Sequence, residues 1–248
     1  MIEPSLESSS IAIAVAIMAI GSALQASIGI GLALFVVPVL ALVDRSFIPG
    51  PMLLAGVVLA LLTAYRERTA VDVAALRSSL IGLAIGTIVG ALALQLVSVP
   101  NLDKTFGGLV LLAILISVSG HKFNVTPRSL SVAGGAAGIM GAMVGIHGPP
   151  ISLVFQNTEP RVARAMLGAF FAVAYLGAVA ALAAFGLFGI PHLVRAAILL
   201  PSVAIGLAVA PLLACHIDGK RLRLIILGIA ALSGLTLLVR QALIYPSR

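Results

Sequence analysis

The chain has 248 residues, of which 61% are hydrophobic and only 9% charged, with a mean hydropathy of +1.21. Soluble domains carry about 25% charged residues, so a globule of this size would lack the polar side chains to cover itself; the composition points to an all-α, polytopic integral membrane protein. The formal charge of +7 does not indicate nucleic acid, because the 15 Lys and Arg are scattered between apolar runs with no basic stripe and no interleaved aromatics.

The first ten residues hold Glu3 and Glu7 and no Lys or Arg. A secretory signal needs a basic start, so this segment reads as an outward-facing tail, in a protein of the bacterial inner membrane. A first apolar run, Ile11–Val43, follows for 33 residues without a charge, interrupted at Gly29-Ile30-Gly31. Phe47–Tyr65, the polar connector Arg66–Asp72, Ser78–Val99 and the short Phe106–Ser119 complete the first half. After the connector His121–Ser129 comes a second long run, Ser131–Asn157, of 27 residues, broken at Gly145-Ile146-His147-Gly148 and followed at once by Pro149 and Pro150. Ala165–Leu187, Leu193–Ala214, the connector His216–Arg223 and Leu222–Val239 close the chain. A spanning helix needs about 20 apolar residues; the two long runs exceed one crossing and fall short of two.

Residues 1–120 and 121–248 read as two repeats of four segments within one membrane domain. At an offset of 116, Gly29 and Ile30 lie over Gly145 and Ile146, and Arg45 over Arg161. The charges bear on how the repeats sit. If every run crosses once, the basic residues divide eight against seven and specify no orientation. If the two long runs are hairpins of half-helices, they divide ten against five, a positive-inside bias that puts the acidic N-terminus outside. Each half then crosses three times, which makes the repeats inverted, with broken or re-entrant helices opening each half.

The breaks carry the chemistry. A helix restarting at Pro149, a residue favoured at first helical positions, would leave its first N–H groups free and present its positive dipole end. Two such ends, at Gly29-Ile30-Gly31 and Gly145-Ile146-His147-Gly148, would bind an anion near mid-membrane. A histidine at that depth is costly without a role. Gln25, Ser27, Gln156 and Tyr175 are further candidate lining groups, although Gln156 serves equally as a cap to the half-helix. Gln95 is expected to reach only the headgroups, and Arg161 and Arg164 to be cytoplasmic anchors.

No Asp or Glu lies within an apolar run, and no nucleophile–base pair, paired carboxylates or phosphate loop is present, so the chain does not read as an enzyme. Cys215 is the only cysteine, which excludes an internal disulfide or a thiolate cluster; no metal or cofactor is expected. The partners expected are a small anion and lipid, with a homodimer left open.

The glycine-rich break, the GIHGPPISLVFQ stretch over Gly145–Gln156 and the Pro-Arg-x-x-Arg turn at Pro160–Arg164 resemble the sulfite exporter TauE/SafE family, as does the two-repeat layout across nearly the whole chain. The resemblance implies a secondary transporter of sulfite, thiosulfate or an organosulfonate such as sulfoacetate, with an uncoupled anion channel or facilitator as the alternative. The first repeat departs from the pattern, with Gly29-Ile30-Gly31-Leu32 in a stretch where the family is richer in glycine, and with Pro38 where the second repeat has Val154.

Overall fold

The computed structural model describes residues 8–28, 32–98, 101–119, 123–216 and 219–244, and these form ten α-helices joined by short turns. In chain order they are α1 (Ser8–Ile28), α2 (Leu32–Val43), α3 (Gly50–Arg66), α4 (Val73–Leu96) and α5 (Leu102–Val118), then α6 (Pro127–Val144), α7 (Gly148–Phe155), α8 (Pro160–Ala184), α9 (Ile190–His216) and α10 (Gly219–Ile244). Stretches of α1, α4, α8 and α9 are long and apolar enough to cross a bilayer.

Local chemistry sets the helix starts. The Asp72 carboxylate accepts from the N–H groups of Ala74 and Ala75 at 2.9 and 3.1 Å and opens α4. Thr126 and Ser129 close a reciprocal capping box ahead of Pro127 in α6. Prolines likewise occupy first-turn positions of α7 and α8. The helix α5 begins ahead of the apolar run from which it was expected, because Asp103 in its first turn is paired with Arg45 at 2.7 Å and so tolerates burial.

Glycines fix how the helices meet. A methyl group at Gly82 or Gly86 of α4 would overlap the carbonyls of Ser131 and Gly135 on α6, and one at Gly90 would lie 2.6 Å from that of Ile139. The seam is therefore backbone against backbone, as small residues at four-residue spacing permit, and the Ser131 hydroxyl donates to the Ser78 carbonyl at 2.9 Å. These contacts advance together, so α4 and α6 run parallel. The helices α1 and α9 are also parallel: Gly206 packs on Ser22, and the Ser27 hydroxyl donates to Ala210 O at 2.9 Å. By contrast, Gly168 of α8 sits on Ala64 of α3 while Tyr175 sits on Gly56, an antiparallel register. Contacts of Gly107 with Leu238 and of Gly234 with Val110 make α5 and α10 antiparallel too. Numbering α1–α5 against α6–α10, the pairings α1·α9 and α4·α6 exchange with each other, while α3·α8 and α5·α10 map onto themselves.

The outer face is apolar. Ile81, Ile85, Ile88 and Leu92 line one side of α4 and are between 43% and 62% exposed, a surface that only lipid would cover at low cost. Polar contacts gather at the ends. At one end Glu67 lies 3.6, 3.8 and 4.0 Å from Arg66, Arg164 and Arg161, and Arg161 also donates to Thr69 at 3.1 Å. Arg161 and Arg164 thus tie the start of α8 to the α3–α4 connector as well as carrying positive charge. At the other end the Gln95 amide donates to Phe185 O at 2.7 Å, joining α4 to α8 instead of only reaching outward.

Replacing Gly86 by Leu should open the α4–α6 seam and destabilise the fold by ~1–3 kcal/mol or more. Ile85→Leu, on the outward face, should leave the melting temperature in detergent, followed by circular dichroism, unchanged.

Candidate functional site

The helix α6 ends at Val144 and α7 begins at Gly148. Between them Gly145 adopts φ +84°, a left-handed conformation that favours glycine, and its N–H is used by Gly141 O at 2.8 Å. The turn aims His147, the N-cap residue of α7, back against α6. There the imidazole fills the notch left by Gly141, where a methyl group would overlap the ring. His147 is 0% exposed. The Gly145 carbonyl is close enough to act on the ring electrostatically, but neither Nδ1 nor Nε2 has a partner in hydrogen-bond geometry among the described residues. A buried polar atom left this way costs about 1–3 kcal/mol.

Three more elements close over it. The Tyr175 ring of α8 lies 5.3 Å from the imidazole at 60°, and Phe171, one turn earlier, stacks on Tyr175 at 5.7 Å and 11°. The Gln25 side chain near the end of α1 lies close enough to the Tyr175 hydroxyl to act on it electrostatically, and Gln25 is itself only 6% exposed. Gly56 of α3 supplies the floor: a methyl there would come within 3.1 Å of the Tyr175 ring and 3.3 Å of Leu32, the first residue of α2. The tips of α2 and α7 therefore approach the same tyrosine. Proline lacks an N–H, so Pro149 and Pro150 leave the α7 tip with the N–H groups of His147 and Gly148 and the imidazole as its donors.

Of the residues expected to line a site, the structure gathers Gln25, His147 and Tyr175, with Ile146 buried beside them and Gly148 facing Phe171. Gly145 shapes the turn. The Ser27 hydroxyl is engaged with the carbonyls of Ala23 and Ala210 at the α1–α9 contact. Gln156 is exposed at the far end of α7, a whole helix away from His147. Gly29, Ile30 and Gly31 lie outside the described residues. Sequence reasoning missed Phe171, Gly56 and Gly141. Phe171 was detectable as the i−4 neighbour of Tyr175; the two glycines had no signal of their own among 25.

Residues 13–237 match the sulfite exporter TauE/SafE family. This chain belongs to that family. Its members are membrane transporters of small sulfur-containing anions and not enzymes, and the TauE/SafE membership covers every helix described above apart from short pieces of α1 and α10. No curated protein and no solved structure matches the chain.

Gly141→Ala should push the imidazole out of its notch. The variant is expected to fold but to lose most of the thermal stabilisation that a bound anion gives the parent protein, as read in paired melts with and without sulfite.

Proposed function

We propose that this TauE/SafE protein is a secondary transporter that binds sulfite or an organosulfonate such as sulfoacetate at the α6–α7 break. The observation that carries the reading is His147: a fully buried imidazole with neither nitrogen hydrogen-bonded among the described residues, at the N-terminal tip of a helix. Donors that lack partners and the positive end of a peptide dipole together suit a small oxyanion. Gln25, beside the Tyr175 hydroxyl, is the second side chain to reach it, and the Tyr175 and Phe171 rings keep lipid and water from the polar tip.

The proposed architecture is a pair of inverted repeats, α1–α5 and α6–α10, whose first helices are broken so that α1–α2 and α6–α7 each return to the side they entered. The antiparallel registers of α3 with α8 and of α5 with α10 support it, because a chain crossing once per apolar run would make both pairs parallel. The closeness of Arg161 and Arg164 to Glu67 supports it as well, since single crossings would put them on opposite faces. On this reading the ten-residue basic side, with Arg66, Arg68, Arg161 and Arg164, is cytoplasmic, and the N-terminus is outside the inner membrane.

Two experiments test this. In proteoliposomes, His147→Ala is expected to reduce saturable counterflow of labelled sulfite or sulfoacetate at least tenfold, roughly the loss of one charge-assisted or buried hydrogen bond; undiminished flux removes His147 from the site. Flux without saturation or counterflow instead marks a channel. For topology, Cys215 is replaced by Ser and single cysteines are placed at Thr69, Asn157 and Asn101. A membrane-impermeant thiol reagent added to whole cells should spare the first two and label Asn101→Cys. Opposite labelling of Thr69→Cys and Asn157→Cys, the pattern of single crossings, would end the hairpin topology.

A further inference from the structure

The site offers an anion donors, and among the described residues no charged side chain lies at it. All eight acidic residues are accounted for: Asp44, Glu67, Asp72, Asp103 and Glu159 stand at or beside helix ends, and Glu3, Glu7 and Asp218 lie outside the described residues. Asp103, the one buried carboxylate among the described residues, is committed to Arg45 at 2.7 Å in the first turn of α5. The buried cation Arg195 has partners of its own. The α1–α9 register, with Ser27 on Ala210, sets it level with the start of α1, about 20 Å from Gln25 along the axis. The helix α5, which packs on α7, carries its charges, Asp103 and Lys104, in its first turn, and the elements around the imidazole present none. Around His147, α6 presents Gly141, α3 presents Gly56 beneath Tyr175, and α8 presents Phe171 and Tyr175. Through Tyr175, α1 presents Gln25. The ionisable groups of α6 and α8, Arg128, Arg161 and Arg164, belong to their first turns. Among the described residues, Tyr175 is thus the only other titratable side chain facing the imidazole.

An anion that entered alone would place an uncompensated negative charge in this pocket, and the loaded carrier would have to reorient with it, which is expensive in a low-dielectric medium. The site contains one group that can cancel that charge by taking up a proton. The aromatic neighbours suit the resulting cation, since the Tyr175 ring centroid lies 5.3 Å from that of the imidazole, within the range of cation–π attraction.

From this arrangement we infer that His147 is the proton carrier of the transport cycle: one proton and one monovalent anion enter together as an imidazolium–anion pair, and the empty carrier returns with a neutral imidazole. This rests on the anion site proposed above. The balance is simple: neutral His147, a proton and the anion combine on one side and separate on the other, with no net charge moved. Because the coupling is a binding linkage, proton and anion must each raise the other's affinity by the same factor.

The test needs anions that carry no proton of their own. Sulfite protonates near neutral pH, so labelled methanesulfonate and ethanesulfonate, monovalent anions of strong acids, are used in proteoliposomes with the membrane potential clamped by valinomycin and potassium. Wild type should accumulate methanesulfonate against its gradient, about tenfold per unit of pH difference at equilibrium, as one-to-one coupling demands. It should also show binding that weakens with rising pH and takes up one proton per anion in weakly buffered detergent. His147→Gln, which keeps a neutral donor, should bind more weakly with an affinity that no longer depends on pH. Tyr175→Phe, which removes the other facing titratable group, should keep the wild-type pH slope, so the assignment survives even if His147→Gln binds too weakly to titrate.

Wild type that exchanges these probes with no response to the pH gradient overturns the inference and leaves the anion site standing. A wild-type slope in His147→Gln, or a flat one in Tyr175→Phe, overturns it as well. Wild type that carries sulfite but neither strong-acid anion also overturns it, because the substrate would then supply the proton. If none of these anions is exchanged at all, the anion site itself falls.

Discussion

A helix that stops inside a protein of this composition exposes peptide groups that apolar surroundings cannot satisfy, and much of this molecule packs around one such stop. Between Val144 and Gly148 the chain turns through a left-handed glycine, and its irregular backbone is tolerated only where protein covers it. The cover comes from the α6 groove at Gly141, the aromatic pair on α8, and Gly56 on α3. Prolines at the next two positions lessen the problem from within, because they bring no N–H groups that need partners. What remains at the tip is a small set of donors and a positive dipole end, the pairing of properties that an anion needs.

The same demand for close cover explains the glycine seams. To bring α4 onto α6 at backbone distance, Gly82, Gly86 and Gly134 give up side chains altogether. In a bilayer, helix association draws little from the hydrophobic effect, since lipid tails are as apolar as leucine, so tight van der Waals contact and occasional hydrogen bonds such as Ser131 to Ser78 must carry it. The α4–α6 seam fixes the helix whose Gly141 notch seats His147, which is what a preorganised binding tip requires. The ion pairs at the helix ends are partly exposed and add little stability each; their value is positional, fixing which connectors share a face.

A transporter of anions faces an electrostatic problem that a soluble binding protein does not, because the loaded site must pass through low dielectric during the cycle. A carboxylate relay would make that worse when the cargo is itself negative. A neutral imidazole with two open nitrogens avoids the conflict: it can donate to the anion as a neutral group or neutralise it as a cation. The near absence of charge in the core of this chain thus becomes a coherent feature of anion handling and not merely a consequence of membrane solubility.

Much was legible in the amino-acid sequence, because hydrocarbon leaves few solutions: composition specified a helical membrane protein, and glycine with proline in an apolar run specified where a helix would stop. His147 and Tyr175 stood out for the same reason, as polar groups at unusual depth. Which helices pair could not be read this way: the charge count implied inverted repeats but named no partner for any helix. Nor could the partners of the break, because Gly56 and Gly141 matter through the space they leave, and an absent side chain gives no local signal. Those choices were settled only when helices far apart in the chain met at backbone distance, where steric fit, not local preference, selects the arrangement.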